Sequence, residues 1–242
     1  MFRLKRVIAT AIAVAMGAVC IAVDPAEAVG PNDPSFLFFG GTDLWRYGAF
    51  LYGGAVWSPA GLDTSGFIFK TLLSGGGYTY RSGALNADVK GTTMSAAVLP
   101  GWKFTGTGLI VSVYAGPVVQ NYRLRPNDPG AHLHGLYVGG QFATEVWYQP
   151  TPSTMAVFNG TISSIGPTGS LRVAAGVRFL DRMFVGPENQ EIWCGNFAEY
   201  QLGAHITALR IDAFEWSAGS GFALTSDHRI GPYLRVGFAA RY

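Results

Sequence analysis

The chain has 242 residues, of which 49% are hydrophobic, 14% aromatic and only 13% charged, with a formal net charge of +2 and a mean hydropathy of +0.23. That composition excludes a disordered chain, which needs low hydrophobicity and high net charge, and a charge-rich coiled coil or helical repeat. The net charge is too small to mark a nucleic-acid binder, so no nucleic-acid partner is expected.

At the start of the chain Arg3, Lys5 and Arg6 precede an uncharged apolar run from Val7 to Val23, and Ala26-Glu27-Ala28 offers small residues at the two positions a signal peptidase reads. This tripartite pattern predicts a cleaved signal peptide over 1–28 and a single domain over 29–242. An uncleaved anchor is the alternative, because the run is long for a signal. Val19 in front of Cys20 argues against a lipoprotein signal. Removal of the signal leaves Cys194 alone, so no internal disulfide can form. It is read as a packed thiol rather than a nucleophile. No Cys–His set has zinc spacing, and His132 with His134 is too little for a metal site.

The remainder reads as strand. No stretch after Gly30 keeps apolar residues at i, i+3, i+4 and i+7 for three turns, and none reaches the ~18 apolar residues of a membrane helix. What recurs is alternation with period two, the mark of side chains leaving a strand on opposite faces. Strands are predicted near 35–43, 45–57, 64–80, 87–100, 105–123, 134–148, 154–164, 170–179, 191–207, 210–223 and 228–242, the first pairing partly or extending the second. Between them lie the turn signals Ser58-Pro59-Ala60-Gly61, Pro100-Gly101, Arg125-Pro126-Asn127-Asp128-Pro129-Gly130, Pro150-Thr151-Pro152, Gly166-Pro167-Thr168-Gly169 and Gly186-Pro187-Glu188-Asn189. The alternation is clearest in the last strand, where Leu234, Val236, Phe238, Ala240 and Tyr242 oppose Tyr233, Arg235, Gly237, Ala239 and Arg241.

A soluble sandwich or barrel and an outer-membrane barrel both fit such a pattern. Three features favour the second. Many strands run to roughly 10–15 residues, enough to cross a bilayer at a tilt. Charges fall on the less oily face. The chain also ends on an aromatic, Tyr242, at the close of an unbroken alternation. The expected fold is all-β: an antiparallel up-and-down outer-membrane β-barrel of about 10–12 strands, in contact with outer-membrane lipid.

The polar faces then supply a candidate lumen cluster: Gln141, Glu145, Arg172, Arg178, Glu199, Gln201, His205, Arg235 and Arg241. The preferred reading is an internal network of Arg–carboxylate pairs that closes a narrow barrel, since an unpaired charge there is costly. A small polar pore or a glycan-binding lumen is the alternative. Trp45, Trp57, Trp102, Trp147, Trp193 and Trp216 are read as interfacial girdles, with stacking on sugar rings as the alternative. A lipid-modifying barrel enzyme would draw on His205, His228, Ser220, Ser226, Glu215 and Asp227. Ser226-Asp227-His228 are neighbours on one segment and cannot form a triad among themselves without a turn, and no Gly-x-Ser-x-Gly elbow exists. No catalytic residues, no metal ligands and no cofactor are expected.

Several stretches together resemble the cellulose biosynthesis protein BcsS family. They are Phe39-Gly40-Gly41-Thr42-Asp43, Pro100-Gly101-Trp102, Pro126-Asn127-Asp128-Pro129-Gly130, Glu145-Val146-Trp147-Tyr148 with Pro150-Thr151-Pro152, Gly186-Pro187-Glu188, Gly203-Ala204-His205, and Asp227-His228-Arg229 before Gly231-Pro232-Tyr233. The resemblance spans about 36–242 and rests on the order of these stretches rather than on any one of them. Trp193-Cys194-Gly195 has no counterpart in it. The resemblance implies a secreted, strand-rich, outer-membrane-associated protein of cellulose biosynthesis and leaves its molecular activity undefined; the reading adopted is that it assists cellulose production or export as a scaffold or narrow glycan-guiding channel. Cellulose or other cellulose-synthesis components are its implied partners. The resemblance carries over no catalytic residues. A small general porin-like channel is the second reading and a lipid-modifying barrel enzyme the third.

Overall fold

The computed structural model describes residues 34–166, 168–194 and 197–242; the signal peptide predicted over 1–28 lies outside them. Twelve strands follow one another: β1 (Phe36–Trp45), β2 (Gly48–Trp57), β3 (Gly66–Ser82), β4 (Ala87–Gly106), β5 (Leu109–Arg125), β6 (Gly135–Thr151), β7 (Thr154–Ser163), β8 (Thr168–Phe179), β9 (Met183–Cys194), β10 (Phe197–Ile211), β11 (Phe214–Thr225) and β12 (Ile230–Arg241). Each pairs antiparallel with its neighbours in sequence, and β1 pairs with β12 from Leu37↔Arg241 to Trp45↔Tyr233, so the sheet closes without an edge. The two ends of the described chain meet at one rim, where the backbone N–H groups of Ser35 and Phe36 both donate to the Tyr242 carbonyl at 2.9 and 2.8 Å.

Side chains sort by parity along every strand. On β12, Leu234 and Phe238 are 44% and 38% exposed, whereas Tyr233 and Arg235 are 2% and 6% exposed. Leu51, Leu73, Met94, Val138, Leu202 and Phe222 continue the outer apolar band around the wall. A contiguous band of that size on the outside is what lipid requires and water does not tolerate.

The inside is packed rather than hollow. In the β2–β6 half, Val56, Ile68, Ala97, Leu99, Tyr114, Val118, Tyr122 and Ala143 form an apolar core, joined by Leu37 and Phe39 of β1 and Cys194 of β9. Burying each such aliphatic side chain is worth about 1.5–3 kcal/mol, so this half of the lumen is held as the interior of a soluble protein is. The half bounded by β8–β12 and β1 carries a polar centre, with small apolar clusters toward the rims: Ala174 and Phe184 with Met155 and Val157 at one, and Trp45, Ala223 and Tyr233 at the other.

Three expectations need correction. Pro100-Gly101, read as a turn, lies inside β4, where both residues stay paired with β3 and only the β4–β5 pairing skips, from Ala97↔Val118 to Gly101↔Tyr114. Gly186-Pro187-Glu188-Asn189, read as a turn, lies inside β9, and the strand predicted over 191–207 divides into the end of β9 and β10. Pro187 has no N–H for a ladder, and the β8–β9 pairing skips the two residue pairs opposite Gly186 and Pro187 before resuming at Val177↔Val185. The irregularity is therefore absorbed without ending the strand. Trp45 and Trp147, read as girdle residues, face inward, Trp45 stacking on Phe50 at 5.6 Å and Trp147 meeting Phe184 edge-on at 5.9 Å. Trp45 shares the parity of Asp43 on β1, and Trp147 that of Glu145 on β6, which fixes them to the lumen. Trp57 and Trp102 are exposed on the outer surface, as a girdle needs.

Candidate functional site: the polar half of the lumen

Glu188 is the hub of the polar half. Arg172 of β8 reaches its Oε2 through Nε at 3.0 Å and Nη2 at 2.8 Å, and Arg235 of β12 donates Nη2 to the same oxygen at 2.6 Å. The Tyr233 hydroxyl donates to Oε1 at 3.0 Å. Glu188 is only 3% exposed, so these bonds replace the hydration it has lost. The arrangement needs Gly219: a Cβ there would collide with Glu188 Oε1.

A second group adjoins it. Asp43 of β1 lies directly across the strand pair from Arg235. Its Oδ2 accepts from Gln190 Nε2 at 2.9 Å and its Oδ1 from Gln201 Nε2 at 3.3 Å. Gln201 Nε2 also donates to Glu199 Oε1 at 2.9 Å, so one carboxamide serves two buried carboxylates. Glu199 Oε2, Gln201 Oε1 and Arg235 Nε remain without a hydrogen-bond partner among the described residues.

His205 belongs to the wall. Its Nε2 lies 3.1 Å from the Ala175 carbonyl, beside the two skipped pairs, and its Nδ1 lies 2.8 Å from Thr207 Oγ1. A carbonyl only accepts, so Nε2 carries the proton and a neutral ring takes the Thr207 hydroxyl on Nδ1. A Cβ at Gly186 would collide with that same Ala175 carbonyl, which explains the glycine.

Of the nine residues expected in one cluster, the structure joins Arg172, Arg235, Glu199 and Gln201 through Glu188 and Asp43, and places His205 beside them. Glu145 is instead paired with Lys70 of β3, whose ammonium also lies 4.8 Å above the Phe39 ring and 5.3 Å above Tyr114. Gln141 is buried on the β6 side. Arg178 and Arg241 sit at the rim near the chain ends, donating to the Pro152 carbonyl at 2.6 Å and to Asp63 at 2.8 Å. Sequence reasoning missed Glu188 and Gln190, because their segment was read as a turn. It missed Asp43 and Lys70 because each is the lone charge on an otherwise oily inner face, although parity with Trp45 and Ile68 marks both as inward.

At the rim opposite the chain ends the lumen widens into a mouth of about 530 Å³ lined by Tyr78, Tyr80, Asp128, His132, Cys194 and Phe197. Tyr78 of β3 stacks on Tyr80 at 6.0 Å and, across the lumen, on Phe197 of β10 at 5.9 Å. The Tyr80 hydroxyl donates to Asp128 Oδ2 at 2.7 Å. That bond, first, together with the Gly130 amide, holds the Asp128 carboxyl below its usual range.

Of the residues weighed for a lipid-modifying enzyme, Asp227 and Ser226 are engaged in local structure. Asp227 accepts from Thr225 and from Arg229 Nε at 3.0 Å, and Ser226 Oγ accepts the Ala198 amide at 3.1 Å. Among the described residues no group of three or more His, Cys, Asp and Glu is placed to hold a metal ion.

A closed antiparallel barrel with an oily exterior and a packed polar-and-apolar lumen defines this protein as a β-barrel of the outer-membrane class. Among solved structures the chain is similar to the TodX deltaS2S3 mutant monoaromatic hydrocarbon channel, with 10% identity and a TM-score of 0.53 over 90% of this chain and 92% of that one. It is also similar to the KdgM porin, with 9% identity and a TM-score of 0.43 over 85% and 99%, and to LpxR from Salmonella typhimurium, with 11% identity and a TM-score of 0.47 over 86% and 100%. No curated protein sequence matches the chain. Residues 37–242 match the family model for cellulose biosynthesis protein BcsS, and the chain belongs to that family.

Proposed function

We propose that the protein is a non-enzymatic scaffold of cellulose production in the outer membrane of a Gram-negative bacterium, exported by its signal peptide and docking cellulose-synthesis components or the polymer itself. Family membership supplies the association with cellulose biosynthesis. The observation that carries the scaffold reading is that side chains from facing walls meet inside the barrel. Tyr78 of β3 stacks on Phe197 of β10, Gln190 of β9 bonds Asp43 of β1, and Phe39 of β1 packs on the apolar core of β3–β6. A glycan-guiding channel would require these contacts to separate, at a cost of several kcal/mol in buried charge alone.

Two measurements test this. In planar bilayers the purified barrel is expected to give no discrete conductance steps; steady ion current would replace the scaffold with a porin-like channel. In a deletion strain, cellulose is scored separately as surface-exposed and cell-retained polymer. Loss of both supports a role beside the synthase. Retained polymer rising as surface polymer falls supports a role in export. No change in either overturns the cellulose role.

A further inference from the structure

The strands carry eleven basic side chains, and eight of them have partners. Lys70, Arg81, Arg172, Arg210, Arg235 and Arg241 reach carboxylates, while Lys103 and Arg178 reach carbonyls. The other three, Lys90, Arg123 and Arg125, make no ion pair or hydrogen bond through their side chains among the described residues. These three stand together on the outer surface, on the half of the wall away from the chain ends. Lys90 of β4 lies directly opposite Arg125 of β5, and Arg123 lies opposite Thr92, two residues further from the rim. Like charges directly opposite on a strand pair repel, and at a lipid boundary water screens them less than it would in bulk. The nearest carboxylate on that face, Asp88, is already held by Arg229 at 2.5 Å and Arg81 at 3.7 Å. The triad therefore has uncompensated positive charge facing the membrane.

Directly below it, toward the middle of the wall, the outer surface is hollowed into a groove of about 880 Å³ that runs across β2–β5 and reaches Arg123. Leu51, Leu73, Met94 and Val119 form its apolar lining, and Gly75 sits in its floor between Leu51 and Met94. Neither Gly75 nor its neighbour Gly77 is required by the backbone. Both lie outside the left-handed region, and a Cβ on either would meet only ordinary contacts, at 3.4 Å or more. The missing side chain of Gly75 leaves the groove open.

We propose that this face binds a phosphorylated lipid of the surrounding leaflet, with its phosphate held by Lys90, Arg123 and Arg125 and an acyl chain laid in the groove over Gly75. The charge complementarity names the head group: phosphate is the anion a lipid head group presents beside its acyl chains, and guanidinium forks suit its oxygens. The apolar groove beneath fits the tail that hangs from such a head group. The inference rests on the barrel standing in a membrane and not on any role in cellulose production.

The test is native mass spectrometry of the full chain released from detergent, loaded with purified lipid A or with its chemically dephosphorylated form. Adducts of lipid A are expected to survive detergent stripping, and those of the dephosphorylated lipid to be at least tenfold weaker. The triple variant Lys90→Gln, Arg123→Gln, Arg125→Gln should lose the preference for phosphate. Gly75→Leu should weaken both lipids by filling the groove while keeping the preference. Heat-modifiable migration on a gel checks that each variant is folded. Equal retention of the two lipids by the unmodified chain, or an undiminished phosphate preference in the folded triple variant, overturns the proposal.

Discussion

Gly219 of β11 and Glu188 of β9 are fitted to one another across β10: the hydrogen of Gly219 leaves the space that Glu188 Oε1 occupies, and a methyl group there would collide with it. Glu188 has little freedom to yield, because Arg172, Arg235 and Tyr233 all hold its carboxylate.

Gly219→Ala is therefore expected to displace the Glu188 carboxylate and leave two buried guanidinium groups poorly paired, destabilising the barrel by about 3–5 kcal/mol. Urea unfolding followed by the heat-modified gel band measures this. In a Glu188→Ala background the added methyl meets only Arg235 Nη2, at 3.0 Å, the far end of a flexible side chain that can give way, so the further cost of Gly219→Ala should fall below about 1 kcal/mol. Additive costs in the double variant would show that the two residues are not coupled.

His205→Ala should act on stability and not on lipid chemistry. The ring is 1% exposed and serves the Ala175 carbonyl, so its loss leaves a buried acceptor without a donor, worth about 1–3 kcal/mol. The lipid A of cells carrying the variant should match that of cells carrying the unaltered protein. A changed lipid A profile at unchanged barrel stability would instead assign His205 to catalysis.

The 126–134 connection should loosen in acid. The Asp128 carboxyl is held below its ordinary value of 3.8 by the Tyr80 hydroxyl and the Gly130 amide. A carboxyl depressed in the folded state stabilises fully above its unfolded pKa, and that contribution disappears as pH falls through the folded value. Cleavage in this connection by an acid-active protease should thus stay slow down to about pH 4 and quicken below it. Tyr80→Phe should quicken cleavage already above about pH 4 and flatten its further rise in acid, because the contribution that acid removes is then mostly gone. Cleavage that Tyr80→Phe leaves unchanged on both sides of that pH would mean that the hydrogen bond does not anchor the loop.

The alternation of Leu234 to Tyr242 against Tyr233 to Arg241 established the strand period, and with it which side chains share a face. The oily face, the aromatic end and the strand lengths led to a membrane barrel, and the ordered stretches from Phe39 to Tyr233 led to the family. Arg172, Arg235, Glu199 and Gln201 were legible as lumen residues because parity alone decides inward from outward. Pairing was not legible. Which carboxylate meets which guanidinium depends on register and on the curvature that brings β9 opposite β1, and neither is a local property of the chain. Glu188 shows the limit most sharply. Beside Gly186 and Pro187 it carries every mark of a turn, and only the strands on either side, by supplying a ladder that tolerates the missing N–H, make its segment a wall and its carboxylate the centre of the network. The sequence by itself determined the faces and the class of barrel, because periodicity is written residue by residue. The tertiary structure alone decided which side chains meet inside the lumen and which outer-wall cations lack a partner among the described residues, because those follow from the register and closure of twelve strands in one ring.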